Sequence, residues 1–173
     1  MAQEECSQMF EAVRRKFGFV PNLVRELCLS PAVARVYLGG QDAMAAASLT
    51  AREQQAVQLA VAVYNECGYC RAAHRRGAVA AGIASGDVDA IAQGQPPDDP
   101  RLRSLTVATW QVLDTKGWLG EADLAALAQQ GVDRVQLYEI IALVGLKTIS
   151  NYVNHIAHTE VDAAFREAAP HPA

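Results

Sequence analysis

Cys67, Cys70 and His74 are the residues of this sequence whose types and spacing could do chemistry. They stand three and four positions apart, and on an α-helix residues so separated are neighbours on one face. Two sulfurs could then lie within disulfide reach, with an imidazole beside the second. The nucleophile in peroxide reduction is the thiolate, and an ordinary cysteine, with a pKa of about 8.5, is mostly thiol at neutral pH. Cys70 has three aids: the positive end of a helix starting near Gly68, His74 as base or ion partner, and Arg71 nearby. A thiolate so formed attacks a peroxide oxygen and becomes sulfenic acid, which a second thiol converts to a disulfide before over-oxidation. Cys67 is placed for that second step.

Other readings of the same residues compete. Cysteine is among the most buried residue types, so both sulfurs could simply be small apolar groups in a core. Cys67, Cys70, His155 and His158 could together make a Cys₂His₂ zinc site, although the two pairs lie far apart in the sequence and nothing in it forces them to meet. Cys-Gly-Tyr-Cys also has the form of a thioredoxin-type motif. That fold needs a strand before the motif, and Gln54 to Tyr64 is helical by period.

The elements that must position these residues are helices. Met9, Phe10, Val13 and Phe17 fall at helical spacing in residues 3–17, and Gly18 ends the run. Pro21 and Pro31 each suit the first turn of a following helix. Thr50-Ala-Arg-Glu53 is a capping box, in which each end satisfies an orphan backbone donor of the other, and behind it Val57, Ala60, Val61 and Tyr64 share a face. Gly68 interrupts this helix, and Cys70 to Ala81 continues until Gly82. A short helix covers roughly residues 87–93, and Gly94-Gln-Pro-Pro-Asp-Asp99 reads as a linker. Asp99 as N-cap and Pro100 at the first helical position open the next helix, which Gly117 closes. Residues 121–130 form another, and Asp133-Arg-Val-Gln136 caps a last one carrying Leu137, Ile140, Ile141 and Val144. No stretch alternates long enough to be a strand. The expected fold is all-α, one compact domain with an N-terminal helical segment 1–48, a core 49–94, a linker 95–100, a C-terminal half 101–162 and a frayed tail 163–173.

Composition narrows the function classes. The chain has 173 residues, enough for one substantial core, and about half of them are apolar. With 15 Lys and Arg against 19 Asp and Glu, the formal charge is −4, which gives no reason to expect nucleic acid or an anionic membrane as partner. No apolar run approaches the roughly 20 residues of a membrane span, and the N-terminus is polar and charged, so a cytoplasmic location is expected. In a reducing compartment, a close pair among four cysteines points to redox or metal chemistry rather than a disulfide scaffold. Cys6 and Cys28 have no partner spacing and read as structural.

The stretch from Leu49-Thr-Ala-Arg-Glu53 through Asn65-Glu-Cys-Gly-Tyr-Cys70-Arg-Ala-Ala-His74 resembles the core of the carboxymuconolactone decarboxylase superfamily. Within it, the sequence is similar to the alkylhydroperoxidase D (AhpD)-like, peroxidase-related branch. Phe17-Gly-Phe-Val-Pro-Asn22, and Asn151-Tyr-Val-Asn154-His155 with Asp162, extend the resemblance over most of the chain. It implies an all-helical AhpD-like fold assembling as a homotrimer or homohexamer. It also implies a peroxidatic Cys70, a resolving Cys67 and a relay through His74 that deprotonates Cys70. The partners implied are a hydroperoxide substrate and a thiol or dithiol reductant, with no metal or organic cofactor. Decarboxylases of the superfamily generally lack the cysteine pair.

Two positions depart from the pattern. Characterised peroxidases of the branch carry a relay Glu twelve residues before the first cysteine, where this sequence has Gln55, an amide that hydrogen-bonds but does not take a proton as a carboxylate does. Tyr69 replaces a His found between the cysteines in some members. Glu53 matches a Glu common in the broader family, with helix capping as its sufficient structural role. Glu66, beside Cys67, could supply charge, and His155 could line the pocket or an interface. The expected activity is a thiol-dependent hydroperoxidase or disulfide reductase in antioxidant defence. The alternatives are a redox-responsive or zinc-binding module of the same fold and a decarboxylase-like enzyme with His74 as acid and base.

Overall fold

The computed structural model describes residues 2–166, and these are helical with no strand. The helices are α1 (Ala2–Phe17), α2 (Asn22–Leu27), α3 (Pro31–Ala43), α4 (Ala51–Tyr64), α5 (Gly68–Ala80), α6 (Ser85–Ala92), α7 (Pro100–Thr115), α8 (Glu121–Gln129), α9 (Arg134–Ala157) and α10 (Ala163–Arg166), with a 3₁₀ turn at Met44–Ala46. Residues 163–166, read from the sequence as the start of a frayed tail, form the short α10; Pro-His-Pro-Ala at the end lies outside the described residues.

The caps fall where the sequence places them. Thr50 Oγ1 accepts from the Glu53 amide while Glu53 Oε2 accepts from the Thr50 amide at 2.7 Å. Asp99 Oδ1 accepts from the amides of Arg101 and Leu102 with Pro100 at the first helical position, and Asp133 and Gln136 cap α9 reciprocally.

α4 is the hub, packed against α5, α6, α7 and α9. Every residue from Ala56 to Ala62 is buried, so a single apolar face is too narrow a description of this helix; surrounded by four others, it buries its whole circumference. Tyr64, assigned to that face, is instead 43% exposed and donates to Asp114. On one side of α4, Val57 joins Leu105, Ala108, Leu137, Ile140 and Leu143; on the other, Leu59 and Ala60 join Ala78, Ile91 and Leu102. α9 carries two stripes. Its inner one runs Leu137, Ile140, Leu143, Lys147, Ser150, Asn151 and Asn154, so a row that begins apolar ends polar while remaining buried. Its outer stripe exposes Tyr138, Ile141, Tyr152 and Ile156.

Candidate active site

The corner between α4 and α5 builds the thiol pair. α4 ends with Glu66 in the left-handed region (φ 56°), where the Glu66 amide bonds Val63 O and the Cys67 amide bonds Ala62 O at 2.9 Å. This is a Schellman closure with a non-glycine residue at its left-handed position. Cys67 then serves as N-cap of α5, and its carbonyl accepts the first bond of the new helix, from the Arg71 amide. Cys70 therefore sits in the first turn of α5, where unpaired amides and the helix dipole favour a negative charge.

Both sulfurs are buried, at 2% and 1% exposure, in a cluster with Leu27, Ala34, Tyr37 and Tyr69. The inner stripe of α9 meets them with polar groups. Asn154 Nδ2 lies 3.3 Å from Cys70 Sγ and 3.9 Å from Cys67 Sγ, and Ser150 Oγ lies 3.7 Å from Cys70 Sγ. Asn151 Oδ1 accepts from Asn65 at 2.8 Å. The Cys70 thiol is pulled down to about 5, first by its hydrogen bond with the Cys67 thiol, against burial, and then by the Lys147 cation and the neighbouring Ser150 and Asn151 side chains. Cys67 is pushed up correspondingly, because it holds the proton the pair shares and is itself buried.

His74 does not bond Cys70. Its Nδ1 lies 3.0 Å from Gln55 Oε1 and its Nε2 lies 2.6 Å from Lys147 Nζ. Burial, and then the neighbouring Lys147 charge, push its pKa well below the ordinary histidine value, so the ring is neutral. The network assigns the tautomer: Nδ1–H donates to the amide oxygen, and Nε2 accepts from the ammonium. Gln55 thus reaches His74, as its motif position implies, but only as an acceptor. Gly77, one turn along α5, makes room for it, since a Cβ there would fall on the Gln55 side-chain amide. Lys147 is 1% exposed and also donates to Tyr37 Oη at 3.2 Å. Burial opposes its charge, but the Tyr37 hydroxyl and the two sulfurs outweigh that and hold its pKa up.

A cleft of about 490 Å³ opens onto this cluster, lined by Val13 and Phe17 of α1, Leu23 and Val24 of α2, Leu38 of α3 and Phe165 of α10. Cys70, His74, Gln55 and Lys147 contribute to its wall, whereas Cys67 does not. Tyr69 braces the site from below: its hydroxyl donates to Asp162 at 2.5 Å and accepts from the Leu23 amide at 3.3 Å, and Asp162 also accepts from the Asn22 amide. The two outlying segments of the resemblance, around Asn22 and Asp162, therefore meet on the tyrosine between the cysteines.

Other candidate residues lie elsewhere. Glu53 is engaged in its cap and with Arg101 Nε at 2.5 Å, outside the cleft. Glu66 and Arg71 are exposed; the cation acting on Cys70 is Lys147, because successive helical residues point different ways. His155 is exposed and stacked on Tyr152, His158 is the exposed C-cap of α9, and the described residues contain no cluster of three His, Cys, Asp or Glu that could hold a metal. Cys6 and Cys28, unrelated by sequence spacing, meet across α1 and α2, Cys6 Sγ donating to Cys28 O at 3.4 Å; burial and then the Cys6 thiol push Cys28 up to about 12. Among the described residues no helix is long and apolar enough to cross a membrane. Sequence reasoning missed Lys147, Tyr37 and Ser150. A signal existed for the first: Lys147 continues the Ile140–Leu143 stripe at helical spacing, and a lysine on an inward face is rarely idle.

The sequence model of the carboxymuconolactone decarboxylase family matches residues 31–110. No curated protein matches the sequence. Among solved structures, the chain is similar to the alkylhydroperoxidase AhpD core of a peroxidase-related protein from Ralstonia eutropha JMP134, with TM-score 0.85 and 25% identity over 94% of this chain and 87% of that one. A peroxidase-related protein from Silicibacter sp. TM1040 gives TM-score 0.82 and 18% identity over 95% and 88%. The debrominase Bmp8 gives TM-score 0.73 and 18% identity over 93% and 88%. The matched segment contains the thiol pair, and the helical fold is shared almost end to end with these peroxidase-related proteins, so the chain has an AhpD-like helical fold around a segment similar to the carboxymuconolactone decarboxylase family.

Proposed function

We propose that the protein is a thiol-dependent hydroperoxidase acting on organic hydroperoxides through Cys70 and Cys67. The observation that carries this is the asymmetry of the pair: Cys70, with the depressed pKa, lines the cleft, while Cys67, with the raised one, lies behind it. The Cys70 thiolate attacks the terminal peroxide oxygen, the O–O bond breaks, and Cys70 becomes sulfenic acid as the alkoxide leaves and takes a proton. Cys67 then attacks the sulfenic sulfur, forming the disulfide and releasing water. An external thiol or dithiol returns the pair to its reduced form. The apolar walls of the cleft favour a peroxide on an organic body over hydrogen peroxide.

In stopped-flow mixing with cumene hydroperoxide, reduced protein is expected to lose thiolate absorbance in a single turnover. Cys70→Ser should abolish the reaction, whereas Cys67→Ser should still react and leave a sulfenic acid that dimedone labels. Reaction persisting in Cys70→Ser would overturn the assignment, and stoichiometric zinc on thiols inert to peroxide would favour the metal-binding alternative.

The same thiolate beside the same apolar walls supports a second reading. A structure of Bmp8 with a cysteine replaced by alanine holds 2,3,4-tribromopyrrole. A dithiol could similarly exchange an aryl bromide for hydrogen, giving arene, disulfide and bromide with release of a proton. Bromide release from tribromopyrrole, against alcohol formation from hydroperoxide, separates the two. For assembly we propose a homotrimer or homohexamer burying the outer stripe of α9, which light scattering of purified protein tests.

A further inference from the structure

We propose that Lys147 is the proton carrier of the redox cycle, charged while Cys70 is a thiolate and neutral once the Cys67–Cys70 disulfide has formed. The inference rests on the thiol-redox reading of the site and adds to it where one proton is kept.

Lys147 Nζ is fully enclosed, and its hydrogen-bond partners are neutral: Tyr37 Oη at 3.2 Å and His74 Nε2 at 2.6 Å. No carboxylate lies within 4.0 Å of it among the described residues. The groups that act on it are Tyr37 from α3, and His74, Cys70 and Cys67 from α5 and its cap. α4 presents only the amides Gln55 and Gln58 to the cleft, and α2 only Leu23 and Val24. Lys16 and Asp42, the other charged groups lining it, are exposed and paired with each other at 3.1 Å. A buried ammonium needs an anion, and the Cys70 thiolate is the one at hand.

Oxidation removes that anion. When the thiolate becomes sulfenic acid, the displaced alkoxide needs one proton, and Lys147 has just lost the thiolate, one of the groups that held its own, while the Tyr37 hydroxyl remains. Transfer from the ammonium to the alkoxide gives alcohol and a neutral amine, so charge is conserved. The disulfide step releases water built from the sulfenic hydroxyl and the Cys67 proton. When a dithiol reduces the disulfide, it delivers two protons: one stays on Cys67, and the other passes from the Cys70 thiol to the Lys147 amine, restoring the ion pair. His74, neutral and fixed by Gln55, keeps the ammonium aligned without taking its proton.

The test is the pH dependence of the disulfide's own reduction potential, on the full chain, read at each pH against a reference dithiol whose potential at that pH is known, over about two pH units around neutrality where ultraviolet absorbance shows Cys70 already ionised. A thiolate alone takes up one proton per two electrons, a tenfold change per pH unit, or about 30 mV. The proposal requires two protons, a hundredfold change per pH unit, or about 59 mV, despite the standing thiolate. One proton per two electrons would overturn it. In Lys147→Arg, whose guanidinium holds its proton, the thiolate should remain and the dependence should fall to one proton; an unchanged two-proton dependence would also overturn it. If the reduced protein forms no Cys67–Cys70 disulfide under any oxidant, the hydroperoxidase reading and this inference fall together. A disulfide with the one-proton dependence removes only the role of Lys147.

Discussion

Asn154 reaches from the last turns of α9 to place its side-chain Nδ2 3.3 Å from Cys70 Sγ, closer than to Cys67 Sγ. A donor that near favours the anionic form of the sulfur it faces. Asn154→Leu keeps the branched shape and removes the donor. The ionisation midpoint of Cys70, which lies near 5, should rise by roughly one pH unit, equivalent to about 1.4 kcal/mol. Ultraviolet titration of the reduced variant checks this, and an unmoved midpoint would show that the amide only fills space.

Gln55→Glu puts a carboxylate against His74 Nδ1 in place of an amide oxygen 3.0 Å away. The new charge favours the imidazolium and raises the histidine pKa from its depressed position, which in turn adds a second cation beside Cys70. The expected result is a higher thiolate fraction on the acid side and a new limb in the rate–pH profile. An imidazole resonance that does not titrate at any accessible pH would count against a proton relay at this position.

Much of this architecture was legible in the residues themselves. The capping boxes at Thr50 and Asp133, the Asp99–Pro100 start and the glycine stops placed most helices, because those signals act within one turn of chain. The thiol pair was legible because both sulfurs and His74 lie within eight consecutive residues. What was not legible depends on three-dimensional meeting. Arg71 is adjacent to Cys70 in sequence and faces away, while Lys147 is 77 positions on and supplies the charge. Asn151, Asn154 and His155 were visible together in one segment of the resemblance, but helical rotation turns the asparagines inward and the histidine outward.

Tyr69→Phe should cost stability while leaving the thiol chemistry nearly unchanged. The hydroxyl both donates to Asp162 and accepts from the Leu23 amide, so its loss leaves two polar groups short of a partner at the start of α2. A cost of about 1 to 3 kcal/mol is expected from denaturant melts. A variant as stable as the parent would mean that water replaces the hydroxyl fully.

Glu53→Gln tests the cap against acid. Burial alone would raise the Glu53 pKa, but the Arg101 guanidinium and the Thr50 donors outweigh it and hold the carboxyl below its usual value. A depressed carboxylate contributes stability that is present above its unfolded pKa, about 4.3, and lost as pH falls through the folded value. The parent should therefore exceed the variant by about 1 kcal/mol at neutral pH, and the gap should close in acid. A gap independent of pH would exclude the ionised carboxylate as its source.

The closure that joins α4 to α5 sets the tempo of the proposed cycle. Cys67 is bonded backward to Ala62 and forward to Arg71, so its backbone is already where a disulfide partner must be. Where a resolving cysteine must travel, or a helix must unravel, a sulfenic acid waits, and a second peroxide can push it to the irreversible sulfinic state. Here the wait is a side-chain rotation. The protein is expected to keep turning over through peroxide bursts that would silence a catalyst of slower closure, and mass spectrometry after repeated dosing should find disulfide in place of sulfinate.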